Sequence, residues 1–152
     1  MSRTIAVLNG PNLGRLGTRE PEKYGTDTLE DVVVRCRALA AHHGVTLVDF
    51  QSNHEGALID RIETWTDEGV VGVVVNAGAF THTSVALRDA LVSSALPFIE
   101  VHITNVHARE DFRAHSYLSD VAMGVVVGCG TLGYELALSA LIRQVGDFDV
   151  QA

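Results

Sequence analysis

Two residues past the middle of the chain, Glu100 and His102, have the types and spacing that proton transfer requires. On a β-strand, residues two apart leave the same face, so this carboxylate and imidazole would meet. A carboxylate beside an imidazole fixes the ring's tautomer and favours its protonated form, the state of a proton donor near neutrality. The same pair also reads as a strand-end ion pair in which two polar groups satisfy each other. Just downstream, Ile103, Thr104 and Asn105 could present backbone N–H groups to a carboxylate. Arg109 and Arg113 follow, four apart and on one face if the segment is helical. His107 and His115 read as solvated neighbours.

Two other segments carry chemistry. The stretch from Leu13 to Thr28 holds Arg15, Arg19, Lys23 and Tyr24, with Pro21 and glycines at 14, 17 and 25. It is long for a βα connection and reads either as a lid that closes arginines over a bound anion or as a solvated loop. The stretch from Asn76 to Ser84 ends in Thr81-His82-Thr83-Ser84, where Thr83 and Ser84 suit helix N-capping and His82 has no capping role. Asp89, farther into that helix, reads by default as a solvated carboxylate.

The elements that must position these residues alternate regularly. Strands are expected at Thr4–Leu8, Thr46–Phe50, Val70–Val75, Phe98–Val101 and Val121–Val127, mostly continuous apolar runs suited to parallel strands buried on both faces. Helices are expected at Leu29–His43, Glu55–Asp67, Ser84–Ser94 and Leu132–Val145. In the first, Leu29, Val32, Val33, Cys36, Leu39 and Ala40 repeat with helical period, Thr28 can cap the start and His43-Gly44 the end. Five βα units in 152 residues predict one α/β domain, residues 1–152, with a doubly wound sheet. The first four strands end in Asn9-Gly-Pro-Asn12, Gln51-Ser-Asn-His-Glu55, Asn76 to His82, and Glu100 to Asn105. Ligands bind beyond the carboxyl ends of such strands, so four polar segments at one edge point to a site there.

Composition removes several function classes. The 11 Lys+Arg against 19 Asp+Glu leave a formal charge of −8, which disfavours nucleic acid and anionic membranes as partners. No apolar run approaches the ~20 residues of a membrane span, and the N-terminal apolar run is too short for a signal peptide. Cys36 and Cys129 lie far apart without CxxC spacing, predicting a reduced, cytoplasmic protein with neither disulfides nor zinc. Lys23 is the single lysine, so Schiff-base chemistry has one candidate, in an exposed loop where nothing apolar would depress its pKa. Gly128-Cys-Gly130-Thr-Leu-Gly133 fits a dinucleotide fingerprint but follows the last strand rather than the first, so its glycines read as close packing and loop geometry. A flavin or nucleotide module would want a phosphate-cradling loop after strand one, where this chain has Asn9-Gly-Pro-Asn12. A phosphoacceptor receiver would need an aspartate and a lysine where Asn76 and Gly128 stand.

Several long motifs in order resemble type II 3-dehydroquinate dehydratase over nearly the whole chain. They are Leu8-Asn-Gly-Pro-Asn-Leu13, Leu16-Gly-Thr-Arg-Glu-Pro21 with Tyr24-Gly25, Phe50-Gln-Ser-Asn-His-Glu-Gly56, Asn76-Ala-Gly-Ala-Phe-Thr-His-Thr-Ser84, Glu100-Val-His102 and Arg109-Glu-Asp-Phe-Arg113. The resemblance implies a flavodoxin-like, five-stranded parallel sheet with helices on both faces, and a homo-oligomer, a dodecamer built as a tetramer of trimers. It implies the reversible anti elimination of water from 3-dehydroquinate to 3-dehydroshikimate through an enolate, in the shikimate pathway of aromatic amino acid biosynthesis. No Schiff base, metal or organic cofactor is implied.

Residue by residue, the resemblance makes Tyr24 the base that takes the proton beside the ketone. A free phenol has a pKa near 10, so working at pH 7 requires about 4 kcal/mol of help from its surroundings. Arg19 and Arg113 are expected to supply that positive field, and Arg19 also to stabilise the transition state. His102, oriented by Glu100, would protonate the departing hydroxyl, and Asn12 would polarise the ketone through a water. Asn76, His82, Ile103, Thr104 and Arg113 would contact substrate, with Asp89 contributed by a neighbouring subunit. Two positions depart from the family pattern: Thr104 stands where Ser is usual, and Gly14 where Asn is common.

Overall fold

The first three strands end on the first residue of their polar segments, at Asn9, Gln51 and Asn76, and the fourth ends within its own, at His102. The computed structural model describes the backbone of residues 3–150 and the side chains of residues 3–145, with strands β1 (Arg3–Asn9), β2 (Val45–Gln51), β3 (Gly72–Asn76), β4 (Phe98–His102) and β5 (Gly124–Val127). All pairings are parallel and the order is β2-β1-β3-β4-β5. This is the flavodoxin-like arrangement, in which the chain leaves β1 toward one edge and returns on its other side, opening a crevice at the carboxyl ends. Register brings the polar strand ends into line: Asn9 lies opposite Gln51 on one side and Asn76 on the other.

Helices cover both faces. The four-residue α1 (Pro21–Tyr24) precedes α2 (Leu29–His42), α3 (Glu55–Asp67), α4 (Val85–Ser94) and α5 (Leu132–Val150). Val32, Cys36 and Ala40 of α2 pack with Tyr134, Leu138 and Leu141 of α5 over Ile5, Val7 and Val74. On the opposite face Leu58, Ile62 and Trp65 of α3 join Leu87 and Leu91 of α4 over Ala6, Leu8, Val73 and Val75. Side chains alternate across each strand, so β1 to β4 feed both cores, while the edge strand β5 contributes Val126 to the α2/α5 side and leaves Val125 exposed. Burying one of these large aliphatic side chains contributes about 1.5–3 kcal/mol. The expected capping is present: Thr28 accepts from the Asp31 N–H at 3.1 Å, Asp31 answers from its carboxylate at 3.0 Å, and Ser84 caps α4 by accepting from the Leu87 N–H at 2.9 Å.

Three expectations are corrected. β5 starts at Gly124, because Val121 and Ala122 both turn back to the Leu118 carbonyl and pack on the α3/α4 side. The Leu13–Thr28 segment is not plain loop: it contains a 3-10 turn at Leu13–Arg15 and then α1, with Pro21 at its first position. Arg109 and Arg113 share no helix, since Arg109 ends one 3-10 turn and Arg113 lies in the next.

Candidate active site

Beyond the ends of β1, β3 and β4 lies a cavity of about 230 Å³. That is below the ~300–1,000 Å³ of pockets for drug-sized ligands and suits a small metabolite. Asn12, Arg19, Tyr24, Asn76, His82, His102, Ile103, Thr104 and Arg113 line it, as does Arg109. In a chain of net charge −8, three guanidinium groups around one cavity create a local positive potential for an anionic ligand.

The firmest part of the wall is β4, held between β3 and β5. Glu100 is 1% exposed, and its Oε2 meets His102 Nε2 at 2.6 Å. With Nε2 committed, Nδ1 is the ring nitrogen left for other partners. Ser116 Oγ donates to Glu100 Oε1 at 2.8 Å, and Ser119 Oγ lies 3.0 and 2.9 Å from the two carboxylate oxygens. Burial opposes the charge on Glu100, but the His102 contact and the two serines outweigh it, and the carboxyl stays below its usual range.

His82 stacks beside His102, ring centroids 6.3 Å apart. A carbonyl can only accept, so His82 Nδ1 donates its proton to the His115 carbonyl at 2.8 Å, and the neutral ring keeps Nε2 as an acceptor. Burial pushes the His82 pKa down, with help from the nearby His102 and Arg113 and against the His115 hydrogen bond. Asn76 is held from two sides: its Nδ2 donates to Tyr134 Oη at 2.8 Å and its Oδ1 accepts from the Gly78 N–H at 3.2 Å. Tyr134 in turn donates to Asn9 Oδ1 at 2.6 Å. A phenol has one proton, so this chain of bonds has a single direction.

Asn12 adopts the left-handed conformation at φ 70°, which Asn tolerates better than most residues. Its N–H is held by Asn53 Oδ1 at 3.0 Å. Tyr24 ends α1, with the Arg19 guanidinium 4.9 Å from its ring centre. Arg109 Nη1 donates to the Tyr24 hydroxyl at 3.1 Å and to Thr104 Oγ1 at 3.2 Å. The group touching the phenol is therefore Arg109, where Arg113 was expected. Arg113 instead pairs with Glu110 and lies 5.0 Å from the Phe112 ring centre, still lining the cavity.

A family model for class II dehydroquinases matches residues 3–142. The chain belongs to this family. Class II dehydroquinases are enzymes, hydro-lyases, and two relatives are close over most of their length. The 3-dehydroquinate dehydratase of Halorhodospira halophila is 60% identical over 142 residues, 93% of this chain and 96% of the relative. The catabolic 3-dehydroquinase 1 of Neosartorya fischeri is 57% identical over 138 residues, 91% of each chain. Among solved structures, the type II dehydroquinase of Propionibacterium acnes superposes with a TM-score of 0.89 at 45% identity, covering 94% of this chain and 98% of that one.

Two expected site residues do not line the cavity of this dehydroquinase fold: Glu100 stands behind His102, and Asp89 lies elsewhere on its own chain. It lies on α4, in a groove shared with Glu63 and Asp67 of α3. Lys23 is ion-paired to Glu20 at 2.9 Å. Of the fingerprint-like glycines, Gly128 and Gly130 serve the loop with φ of 82° and 64°, a Cβ on Gly128 would press to 3.2 Å from Asn105, and one on Gly133 would sit in ordinary contact with Val101 and Val126. Asp27 takes the Thr131 hydroxyl at the start of α5 at 2.6 Å and pairs with Arg35 at 2.5 Å. Among the described residues no cluster of His, Cys, Asp and Glu could hold a metal ion, and no helix is long and apolar enough to cross a membrane. The sequence reading missed Arg109 as the phenol's partner, and it missed Ser116, Ser119 and Tyr134. The position of Arg109 within a family motif was the one available signal.

Proposed function

We propose that this chain dehydrates 3-dehydroquinate to 3-dehydroshikimate, reversibly, by anti elimination through an enolate and without a Schiff base. The observation that carries the reading is one cavity lined by a phenol hydrogen-bonded to Arg109 and by an imidazole backed by the buried Glu100. The names of the relatives agree with it.

The phenolate of Tyr24 removes the proton from the carbon beside the ketone, and the electron pair moves onto the ketone oxygen. Arg19 and Arg109 stabilise the phenolate before transfer, and Asn12 polarises the developing enolate through a water. The enolate then re-forms the ketone and expels the hydroxyl group, which leaves as water with the proton of His102. Glu100 holds the resulting ring in orientation for return of the proton. Arg113, His82, Asn76, Ile103 and Thr104 bind the carboxylate and hydroxyl groups that fix the ring. Thr104 keeps the hydroxyl of the family's usual Ser and uses it on Arg109.

The same reading makes the chain a single catalytic unit, a cytoplasmic enzyme of the shikimate pathway that assembles as a tetramer of trimers, with Asp89 reaching a neighbour's cavity. Its support is the family match and the place of Asp89, outside its own chain's cavity. Sedimentation at twelve times the monomer mass is expected; a monomer alone overturns this assembly.

The deciding test mixes purified protein with 3-dehydroquinate and follows ultraviolet absorbance. Dehydration conjugates a carboxylate to a new double bond, so absorbance rises without added metal or cofactor. Activity that survives borohydride and disappears in Tyr24→Phe supports the enolate route. A flat trace from folded protein overturns it.

A further inference from the structure

We propose that Ser119 is a positioning residue for the general acid: its hydroxyl keeps the Glu100 carboxylate ionised, so that the shared proton resides on His102. This rests on the proposed role of His102 and extends it to a segment outside the family motifs quoted above.

The hydrogen-bond inventory carries the argument. Glu100 is 1% exposed, so water cannot stabilise its charge, and the protein must. Oε2 receives His102, Oε1 receives Ser116, and Ser119 lies within 3.0 Å of both oxygens. A protonated carboxyl could donate only to Nε2 of a neutral His102 or to the Ser119 oxygen, and either way a hydrogen bond now aimed at the charge is lost. Ser116 has one proton and gives it to Glu100, so Thr81 Oγ1, 2.9 Å away, must donate to Ser116 Oγ. Ser116 Oγ also accepts from the Leu118 N–H at 3.0 Å, which fixes it as a turn residue. Ser119, by contrast, has hydrogen bonds from its hydroxyl to Glu100 alone. Its hydroxyl is the separable half of the pair.

Two arrangements compete for the proton: Glu100 carboxylate with an imidazolium, and neutral Glu100 with a neutral imidazole. In the first, Nδ1 belongs to an imidazolium and gives up its proton readily; in the second it belongs to a neutral ring, a far weaker acid. Each donor aimed at the carboxylate favours the first. The titratable and charged groups around the pair are His102 on β4, His82 from the turn after β3, and Arg113 from the turn after β4. His82 and Arg113 act on the imidazole side and do not bond the carboxylate.

The test compares Ser119→Ala and Ser119→Thr by steady-state kinetics from pH 5 to 9, with melting temperature measured alongside. Ser119→Ala is expected to lose about tenfold in kcat, the lower end for one charge-assisted hydrogen bond, with KM within about twofold. Its acidic limb should move to higher pH, because Glu100 protonates more readily, and Ser119→Thr should restore both. Wild-type kcat and an unmoved limb in Ser119→Ala overturn the proposal, as does a loss equal in Ala and Thr or one confined to KM. Histidine ring-nitrogen NMR of the variant gives a second readout: the His102 signal should move toward the neutral ring, and an unchanged signal also overturns it. Glu100→Gln and His102→Ala are run beside them. If those keep full activity, the reading of the acid itself has failed; if they are inactive while Ser119→Ala is normal, only the role of Ser119 has failed.

Discussion

Arg109 donates to the hydroxyl of Tyr24 across 85 positions of sequence, at 3.1 Å. The donor comes from the end of a 3-10 turn after β4 and the acceptor from α1, so the contact ties the sheet edge to the Leu13–Thr28 segment.

Arg109→Ala should therefore lower kcat about ten- to a hundredfold, the equivalent of about 1.5–3 kcal/mol for a hydrogen bond to a charged group. Arg109→Lys should recover part of the activity, because a single nitrogen, Nη1, makes both contacts and an ammonium carries enough donors for Tyr24 and Thr104. Steady-state kinetics on both variants checks this, and full activity in Arg109→Ala removes Arg109 from the mechanism.

Asn12 offers a separation of backbone from side chain. At φ 70° a Cβ is strained, so Asn12→Gly should be at least as stable as Asn12→Ala, by about 1 kcal/mol. Both should lose kcat, because both lose the amide. Urea unfolding and kinetics on the two variants separate the effects; a Gly variant with normal turnover would show that the amide has no part in the chemistry.

Acid should destabilise the protein in two stages. His82 and Glu100 both have folded-state pKa values below their ordinary ones of 6.5 and 4.5. The unfolded chain then takes up each proton first, so each contribution is complete above the ordinary value and is lost as pH falls through the folded one. The urea midpoint should begin to fall below about pH 6.5 and fall further below about pH 4.5. His82→Asn should flatten the first stage and Glu100→Gln the second; a midpoint constant from pH 7 to 4 contradicts both.

The thiols should behave differently. Burial raises the Cys36 thiol to about 12, and Cys36 is fully enclosed between α2 and α5, whereas Cys129 is exposed. An aromatic disulfide reagent at pH 8 should titrate one thiol in the native protein and two in denaturant, and Cys129→Ser should abolish the native signal. Two fast thiols in the native state would mean that the α2/α5 core opens readily.

Much of this fold was legible because parallel strands buried on both faces leave continuous apolar runs, as in Val73-Val74-Val75. Where an apolar run did another job, the reading slipped: Val121-Ala122 packs as a turn on the α3/α4 core and is no part of β5. The helix α1 was invisible because four residues carry no hydrophobic period. At the site, Glu100 and His102 could be paired from sequence since a strand fixes what lies two residues away. Ser116 and Ser119 could not, because their partner lies 16 and 19 positions back and a serine in a loop has no pattern of its own. Arg109 was noticed beside Arg113, on one face only if the segment were helical, and the two separate turns decide which guanidinium meets Tyr24.

The two residues proposed to carry protons stand on different kinds of support. His102 closes β4 and stays in register with Val127 of β5, anchored to the frame of the molecule. Tyr24 sits on a one-turn helix flanked by Gly17 and Gly25, both at positive φ, held through its own side chain by Arg109 and the α2/α5 core and, farther on, by Asp27, whose carboxylate is fastened to Thr131 and Arg35. Evolution of this helix can therefore tune when the base arrives without disturbing where the acid waits, so variants at Gly17 or Gly25 should alter timing while the Glu100–His102 pair keeps its geometry.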